Sequence, residues 1–421
     1  MKPLIIRGAR QVGKTSTVRA LAKACFENCV EINFEQELSL HKIFEPDLDA
    51  KRILREIETI KGIPISPEKT LLFLDEIQAC PKAITSLRYF YEEIPTLRVI
   101  AAGSLLEFAL GQASVPVGRV TYEYMYPLSF GEFLGALGED KLIPSLPTLK
   151  SIQQGNFSLP PAISEKLRSR LREYFVVGGM PEAVLRYIEN GSFLSVNEVL
   201  DDLIQTFRDD TRKYTQGELQ LSNVNLILER AFTYVGRQVK YTVIGQGDTI
   251  ARTKHSLSLL EQAMLIHRVR SASPDGLPLG AGASEKFFRC IFLDIGLGQR
   301  LSGMNPKEIL TSDNLLVTYH GALADQFVGQ QLLAESSQAS EGRSLYCWIR
   351  PEKSSTAEVD YLIAREGQIY PIEVKSGPSG RLKSLHLYLK TFGGCGFCLQ
   401  DTDKITKNDV TFSPLYTVLD L

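Results

Sequence analysis

Long hydrophobic runs are missing from this sequence. No apolar stretch approaches the roughly 20 residues that cross a bilayer. The N-terminus, Met1-Lys2-Pro3-Leu4-Ile5-Ile6, reads as a strand and not as a basic, apolar, small-residue signal. Both features predict a cytoplasmic protein with no membrane partner. Cysteine is sparse, and the seven present cannot all pair. Cys25, Cys29, Cys80, Cys290 and Cys347 sit singly in apolar stretches, which predicts reduced core thiols. The pair in Cys395-Gly396-Phe397-Cys398 has no second Cys-x-x-Cys and no nearby histidine, so packing explains it better than redox chemistry or zinc. Neither sign of charge is in excess. A formal net charge of −2 leaves nucleic-acid binding to local distribution. With 421 residues, 44% of them hydrophobic and 23% charged, the chain is long enough for two or three cored domains and disorder is excluded.

What is present starts at the N-terminus. Pro3-Leu4-Ile5-Ile6 precedes the glycine-rich run Gly8-Ala9-Arg10-Gln11-Val12-Gly13-Lys14-Thr15, and a helix-like stretch from Ser16 to Cys25 follows. That order is strand, phosphate loop, helix. Backbone N–H groups of such a loop converge on phosphate oxygens and the helix N-terminus adds positive potential. Lys14 reaches the β- and γ-phosphates, and Thr15 can hold magnesium. The loop from Gly8 to Thr15, with Ser16, is therefore the expected ATP site.

Further on, Leu71-Leu72-Phe73-Leu74-Asp75-Glu76 is a buried-strand pattern ending in two carboxylates. By itself such a pair is equally well a helix N-cap. Downstream of a phosphate loop it reads as a Walker B element, with Asp75 orienting magnesium and Glu76 polarising the attacking water as base. A third apolar run, Arg98 to Ala102, ends in Gly103-Ser104, whose hydroxyl at the C-terminal sheet edge can sense the γ-phosphate. Cys29 to Phe34 reads as another strand and residues 47–60 as a surface helix. Alternating strands and helices predict an α/β fold, a doubly wound parallel sheet forming a P-loop ATPase core over residues 1–150.

These motifs, with Gly118-Arg119, Tyr126-Pro127-Leu128-Ser129-Phe130-Gly131-Glu132-Phe133 and Gly178-Gly179-Met180-Pro181-Glu182, resemble those of prokaryotic AAA-type ATPases carrying a C-terminal domain of unknown function. The resemblance covers nearly the whole chain. It implies that Ser104 is a sensor 1 residue and Arg119 an arginine finger acting on a neighbour's nucleotide, which requires an oligomer. An arginine after a Pro/Gly-containing loop is equally well a solvated charge. Members of that family carry a helical segment before the first strand that helps close over adenine. Here the strand starts almost at Met1, which implies either a shortened form or a base held otherwise, with weak or altered nucleotide affinity expected.

A Ser/Gln/Gly/Pro-rich stretch from Ser145 to Pro161 reads as a linker, and residues 151–222 as linker and helices. Residues 223–315 are expected to form a winged helix: helices at about 223–236 and 253–264, then the extended pair Leu265 to Ser271 and Lys286 to Leu293. The second helix would present Arg252, Lys254 and His255. Between Arg230 and Arg270 the basic residues Arg230, Arg237, Lys240, Arg252, Lys254, Arg268 and Arg270 face only Asp248 and Glu261. A basic face suits DNA phosphates, but winged helices also pack against protein.

Residues 316–421 begin with an amphipathic helix from Gly321 to Leu333 that carries Asp325 near its start. Strand-like segments follow: Ser344 to Ile349, Ala357 to Ile363 with Asp360, and Ile369 to Gly377 with Glu373-Val374-Lys375. The Asp, spacer, Glu-x-Lys pattern resembles the PD-(D/E)XK core of restriction-endonuclease-like α/β domains. Two carboxylates on adjacent strands can share a divalent cation, and period 2 puts Lys375 on the face of Glu373. Asp325 stands where that family carries a helix glutamate, with a shorter reach. The resemblance thus implies a second metal site at Asp325, Asp360 and Glu373 with Lys375. A salt-bridged strand pair would look the same, and Arg381 and Lys383 do not decide.

The expected whole is an ATP- and Mg²⁺-using ATPase, acting on DNA or as a nucleotide-controlled switch. The alternatives are an ATP-regulated, metal-dependent DNA nuclease and a non-catalytic scaffold that assembles a homo-oligomer or partner protein.

Overall fold

The computed structural model describes residues 1–106, 108, 118–153, 159–284, 286–311, 321–335, 344–350, 357–375, 382–400, 406–407 and 410–418. Arg381, the Ser376-Gly377 end of the expected nuclease motif, residues 154–158 of the expected linker and most of the loop before Arg119 lie outside them. The chain divides into two compact units, Met1–Tyr126 and Pro127–Leu421.

The first unit is built on strands β1 (Leu4–Arg7), β2 (Asn28–Asn33), β3 (Thr70–Asp75), β4 (Arg98–Gly103) and β5 (Thr121–Tyr124). They lie in the order β2-β3-β4-β1-β5, all parallel. Helices α1 (Lys14–Cys25), α2 (Ala50–Lys61) and α3 (Pro81–Glu93) connect them. Every residue of β3 is buried, as an apolar run covered on both faces requires. One core packs β2, β3 and β4 against α2 and α3 through Val30, Ile32, Leu72, Leu74, Ile57 and Leu87. A second puts Val18 and Ala22 of α1 against Ile6, Phe73 and Ile100. Local signals end the helices: Asp49 caps α2 by accepting from the Arg52 N–H at 2.6 Å, and Gly62 closes it with φ +64°.

The second unit opens with α4 (Phe130–Ala136), started by a capping box. Ser129 Oγ accepts from the Glu132 N–H at 3.2 Å, and the Glu132 carboxylate accepts from the Ser129 N–H at 2.8 Å. That box accounts for the Ser-Phe-Gly-Glu part of the family-like motif. Helices α5 (Pro161–Val177), α6 (Pro181–Asn190), α7 (Phe193–Tyr214), α8 (Glu218–Ala231) and α9 (Ile250–Gln262) follow.

The antiparallel pair β6 (Ile266–Ser271) and β7 (Phe288–Phe292), expected as the wing, pairs through β6 with β8 (Leu345–Ile349). It thereby joins one mixed sheet with β9 (Glu358–Arg365), β10 (Gln368–Lys375), β11 (Gly396–Gln400), β12 (Thr406–Lys407) and β13 (Val410–Pro414). The order among the described residues is β12-β13-β11-β10-β9-β8-β6-β7. The wing-like pair is thus one edge of a single sheet whose centre holds the nuclease-like strands.

Helix α10 (Ile295–Leu301) follows β7, and helix α11 (Ala322–Glu335) crosses the region as its buried axis. The amphipathic pattern expected for α11 is not found, since every residue from Leu323 to Leu333 is buried. Its glutamines satisfy backbone groups elsewhere. Gln326 Oε1 accepts from the Phe292 N–H at 2.8 Å, Gln330 Oε1 from Ile295 at 2.9 Å and Gln331 Oε1 from Phe130 at 2.8 Å. The expected linker is tied down where it is described, its Leu149 N–H donating to the Val418 carbonyl at 3.2 Å.

Gly179 belongs to a junction too tight for a side chain, since a Cβ there would lie 2.2 Å from the Leu128 carbonyl oxygen. The thiols are mixed: Cys80, Cys290, Cys347 and Cys398 are buried, whereas Cys25 and Cys395 are exposed and Cys29 is half-buried. The expectation of core thiols fails at Cys25 because it ends α1 on the solvent side. Among the described residues no helix is long and apolar enough to cross a membrane.

Candidate functional site

Three strand ends and one helix start converge in the first unit. The register pairs Arg7 of β1 with Gly103 of β4 and Leu74 of β3 with Ala101 of β4. The residues that follow, Gly8, Ser104 and Asp75-Glu76, therefore share the C-terminal edge of the sheet, with β4 between the other two strands. Gly8 must be glycine, because a Cβ would stand 2.5 Å from the Met125 carbonyl oxygen. Gln11 at φ 63° and Gly13 at φ 99° turn the loop back to α1. Ala9 and Val12 are buried and anchor it, whereas Gln11 and Ser16 are exposed. Arg10 points outward to Glu35 at 3.2 Å.

Lys14 is buried, and its Nζ donates to the carbonyls of Gly8 at 3.0 Å and Ala9 at 2.8 Å. Burial pushes its pKa down to about 8, against the opposing pull of the Glu76 and Asp75 carboxylates. Thr15 Oγ1 donates to Asp75 Oδ2 at 3.0 Å. Burial raises the Asp75 pKa and this hydrogen bond lowers it. A hydroxyl and a carboxylate side by side are hard oxygen donors of the kind magnesium takes, so these residues fit that ion.

Glu76 adopts the left-handed conformation at φ 49°, ψ 44°, an uncommon one for a side chain of its size. Gln78 holds its carboxylate, Nε2 donating to Glu76 Oε2 at 2.6 Å. Gln78 is packed against β4, for a Cβ on Gly103 would lie 2.2 Å from its Oε1. Ser104 Oγ is buried at the same edge and has no hydrogen-bond partner among the described residues. Sequence reasoning assigned Gln78 no role. The available signal was a polar residue two positions after the paired carboxylates.

Arg119 lies elsewhere. Thr121 pairs with Leu4, so Arg119 sits at the N-terminal edge of the sheet. Five residue steps separate it from Tyr124, which is level with Arg7 just before the phosphate loop, a distance of roughly 16 Å. It pairs with Glu92 at 2.9 Å and is 45% exposed. It is out of reach of the phosphate loop of its own chain.

In the second unit the basic stretch is partly used internally. Arg252 pairs with Asp248 at 3.4 Å, Arg268 with Glu261, and Lys254 Nζ sits 5.2 Å from the centre of the Tyr241 ring. Arg237, Lys240, Lys254 and His255 are exposed.

The expected nuclease-like residues do come together. Ile372 opposite Tyr361 continues to Glu373 beside Asp360 on antiparallel β10 and β9, and Lys375 Nζ lies 2.5 Å from Glu373 Oε1. They do not surround an open cation position. The buried guanidinium of Arg289 on β7 donates through Nη1 to Asp360 Oδ1 at 2.6 Å and through Nη2 to Asp325 Oδ2. Asp360 Oδ2 is taken by the Val374 N–H at 2.7 Å. Asp325 Oδ1 and Glu373 Oε2 are buried without hydrogen-bond partners among the described residues. Burial pushes Asp325 up to about 7 against the pull of Arg289, and Glu373 up to about 8 with the Asp360 charge adding to it. Among the described residues no group of three or more His, Cys, Asp or Glu is placed to hold a metal ion. Sequence reasoning missed Arg289, which looked like any charge in a strand.

Residues 1–134 match the family model of an AAA domain. Residues 168–308 and 320–417 match two domains of unknown function, DUF8612 and DUF4143. No curated protein matches. Among solved structures, PCH-2 of C. elegans is similar at 13% identity and a TM-score of 0.28, over 47% of this chain and 61% of that one. This chain thus spans about three fifths of the length of PCH-2. Drosophila ORC bound to DNA is similar at 14% identity and a TM-score of 0.27, over 72% of this chain and 90% of that one. A STAND signal transduction ATPase with a tetratricopeptide repeat sensor from Pyrococcus horikoshii is similar at 15% and 0.25, over 80% and 44%. The AAA domain match and the five-stranded parallel sheet agree on a P-loop ATPase core in the first unit.

Proposed function

We propose that this chain is a cytoplasmic, Mg²⁺-dependent ATPase of the AAA class. The observation that carries this is the contact of Thr15 Oγ1 with Asp75 Oδ2 at 3.0 Å, which joins the phosphate loop to the acidic strand end. Gly8 to Gly13 offer backbone N–H groups to the phosphates, and the Lys14 ammonium neutralises their charge. Thr15 and Asp75 would hold magnesium, which supplies charge neutralisation on the phosphate oxygens. Glu76, steadied by Gln78, orients a water and accepts its proton. Ser104 Oγ has an uncommitted O–H to donate to the γ-phosphate. Arg119 is an arginine finger only for a neighbouring copy, so full activity calls for a homo-oligomer.

The experiment is steady-state ATP turnover by the wild type, Glu76→Gln and Lys14→Ala. Glu76→Gln should bind ATP but lose turnover by about 10²–10⁴-fold, and Lys14→Ala should lose binding. A wild type that binds no nucleotide refutes the reading. Exposed Arg237, Lys240 and Lys254 favour DNA as a partner of the second unit. Turnover measured with and without DNA, at two salt concentrations, tests that. If the wild type binds ATP without turnover and its oligomeric state follows the nucleotide, the scaffold reading replaces catalysis.

A further inference from the structure

We propose that Arg289 is the resident cation of the acidic cluster in the second unit, standing where the nuclease-like pattern calls for a divalent ion, so that this domain cuts no phosphodiester. Phosphodiester cleavage by two carboxylates and a lysine needs an ion that both carboxylates share and a lysine free to face the substrate. Neither condition is met. The guanidinium of Arg289, its side chain 4% exposed, already bridges Asp325 and Asp360. Both Asp360 oxygens are engaged, one by Arg289 and one by the Val374 N–H. Lys375 is committed to Glu373.

The chain also closes over the cluster. Gly236 has φ +74°, and a Cβ there would lie 2.8 Å from Asp325 Oδ2 and 3.7 Å from Arg289 Nη2. An entering divalent ion would meet a fixed positive charge in a site screened from water, where like charges repel most strongly. Arg289 comes from β7, at the far edge of the sheet from β13. It therefore ties the wing-like pair to the nuclease-like strands, a structural use for residues that elsewhere would serve catalysis. The planar, permanently charged guanidinium suits this, since it offers two donors in a fixed fork to two carboxylates.

The inference is independent of whether the first unit hydrolyses ATP, and its test keeps the two apart. Mn²⁺ bound by the full chain without nucleotide is counted by electron paramagnetic resonance in the wild type, Lys14→Ala, Asp360→Asn and Arg289→Met. No Mn²⁺ should be lost between wild type and Asp360→Asn, whereas Arg289→Met should gain one bound Mn²⁺ that disappears when Asp360→Asn is added. Mn²⁺ bound to the wild type, kept in Lys14→Ala and lost in Asp360→Asn, would overturn the proposal. So would a folded Arg289→Met that gains none. If Arg289→Met does not fold, the wild type and Asp360→Asn decide alone, together with plasmid nicking in Mn²⁺. Nicking by the wild type that Asp360→Asn abolishes overturns the proposal, and its absence supports it.

Discussion

Replacing Arg289 by methionine keeps most of the aliphatic length and removes the charge, leaving two carboxylates facing each other in the interior. The side chains of Arg289, Asp325 and Asp360 are 4%, 7% and 12% exposed, so water screens the triad little. Removing one partner of a buried pair costs about 3–5 kcal/mol, most of it the penalty of the stranded charge. Here the lower figure applies. Burial already pushes the Asp325 carboxyl up, and losing the opposing pull of Arg289 pushes it further towards its neutral form, which leaves Asp360 as the stranded charge.

A loss of about 3 kcal/mol in a unit of this size lowers Tm by roughly 5 °C. The single tryptophan, Trp348, is the reporter. It lies in β8, packed edge-on against Tyr388 at 5.5 Å, so its fluorescence during thermal or urea unfolding reads the sheet that holds the triad. The pH sign also follows. Stranded carboxylates have folded pKa values above their unfolded ones, so the penalty is present above that range and shrinks as pH falls through it. Arg289→Met should be closer to wild-type stability at acid pH than at neutral pH. Adding Asp325→Asn and Asp360→Asn removes the charges altogether and should recover most of the loss. A cost below about 1 kcal/mol, the range of exposed pairs, refutes the reasoning. So does a triple variant less stable than the single one.

Ser104→Ala separates stability from catalysis, because the hydroxyl it deletes makes no hydrogen bond among the described residues. Unfolding should shift by no more than about 0.5 kcal/mol, while the ATP turnover number falls by about 10²-fold with ATP affinity unchanged. Gly8→Ala places a methyl 2.5 Å from a backbone oxygen, so the phosphate loop must move. Titration with a fluorescent ATP analogue should read an affinity at least about tenfold weaker. Gly179→Ala meets both the oxygen and the nitrogen of Leu128, at 2.2 Å and 2.8 Å, and no side chain can yield. Trp348 fluorescence should report a loss of about 3 kcal/mol or more.

The first unit was legible because its chemistry is local. The phosphate loop spans eight contiguous residues between a strand and a helix, and Asp75-Glu76 closes a run that can only be a buried strand. Ser104 followed from the same logic. The role of Gln78 did not, because its contact with Glu76 exists only once Glu76 turns left-handed and β4 supplies a glycine for the amide to rest on. The second unit was legible in its elements and less so in their partners. The two helices and the extended pair of the expected winged helix are present at α8, α9, β6 and β7, yet that pair continues into the C-terminal sheet through β6 and β8. Parallel pairing across so long a stretch of chain leaves no local mark in the residues. Helix α11 was misread because its buried glutamines look solvent-facing in a sequence, whereas they are inward donors and acceptors serving buried polar groups.

By itself the sequence determined that this protein carries a phosphate-loop pattern, an acidic strand end and a serine as one candidate nucleotide site, since each is recognised by residues adjacent in the chain. Tertiary structure alone decided the state of the second acidic cluster. Asp325 and Asp360 lie 36 and 71 residues from Arg289, and only folding brings the guanidinium between them. Electrostatics depends on distance in space and on burial, and neither is written in the spacing of residues along the chain.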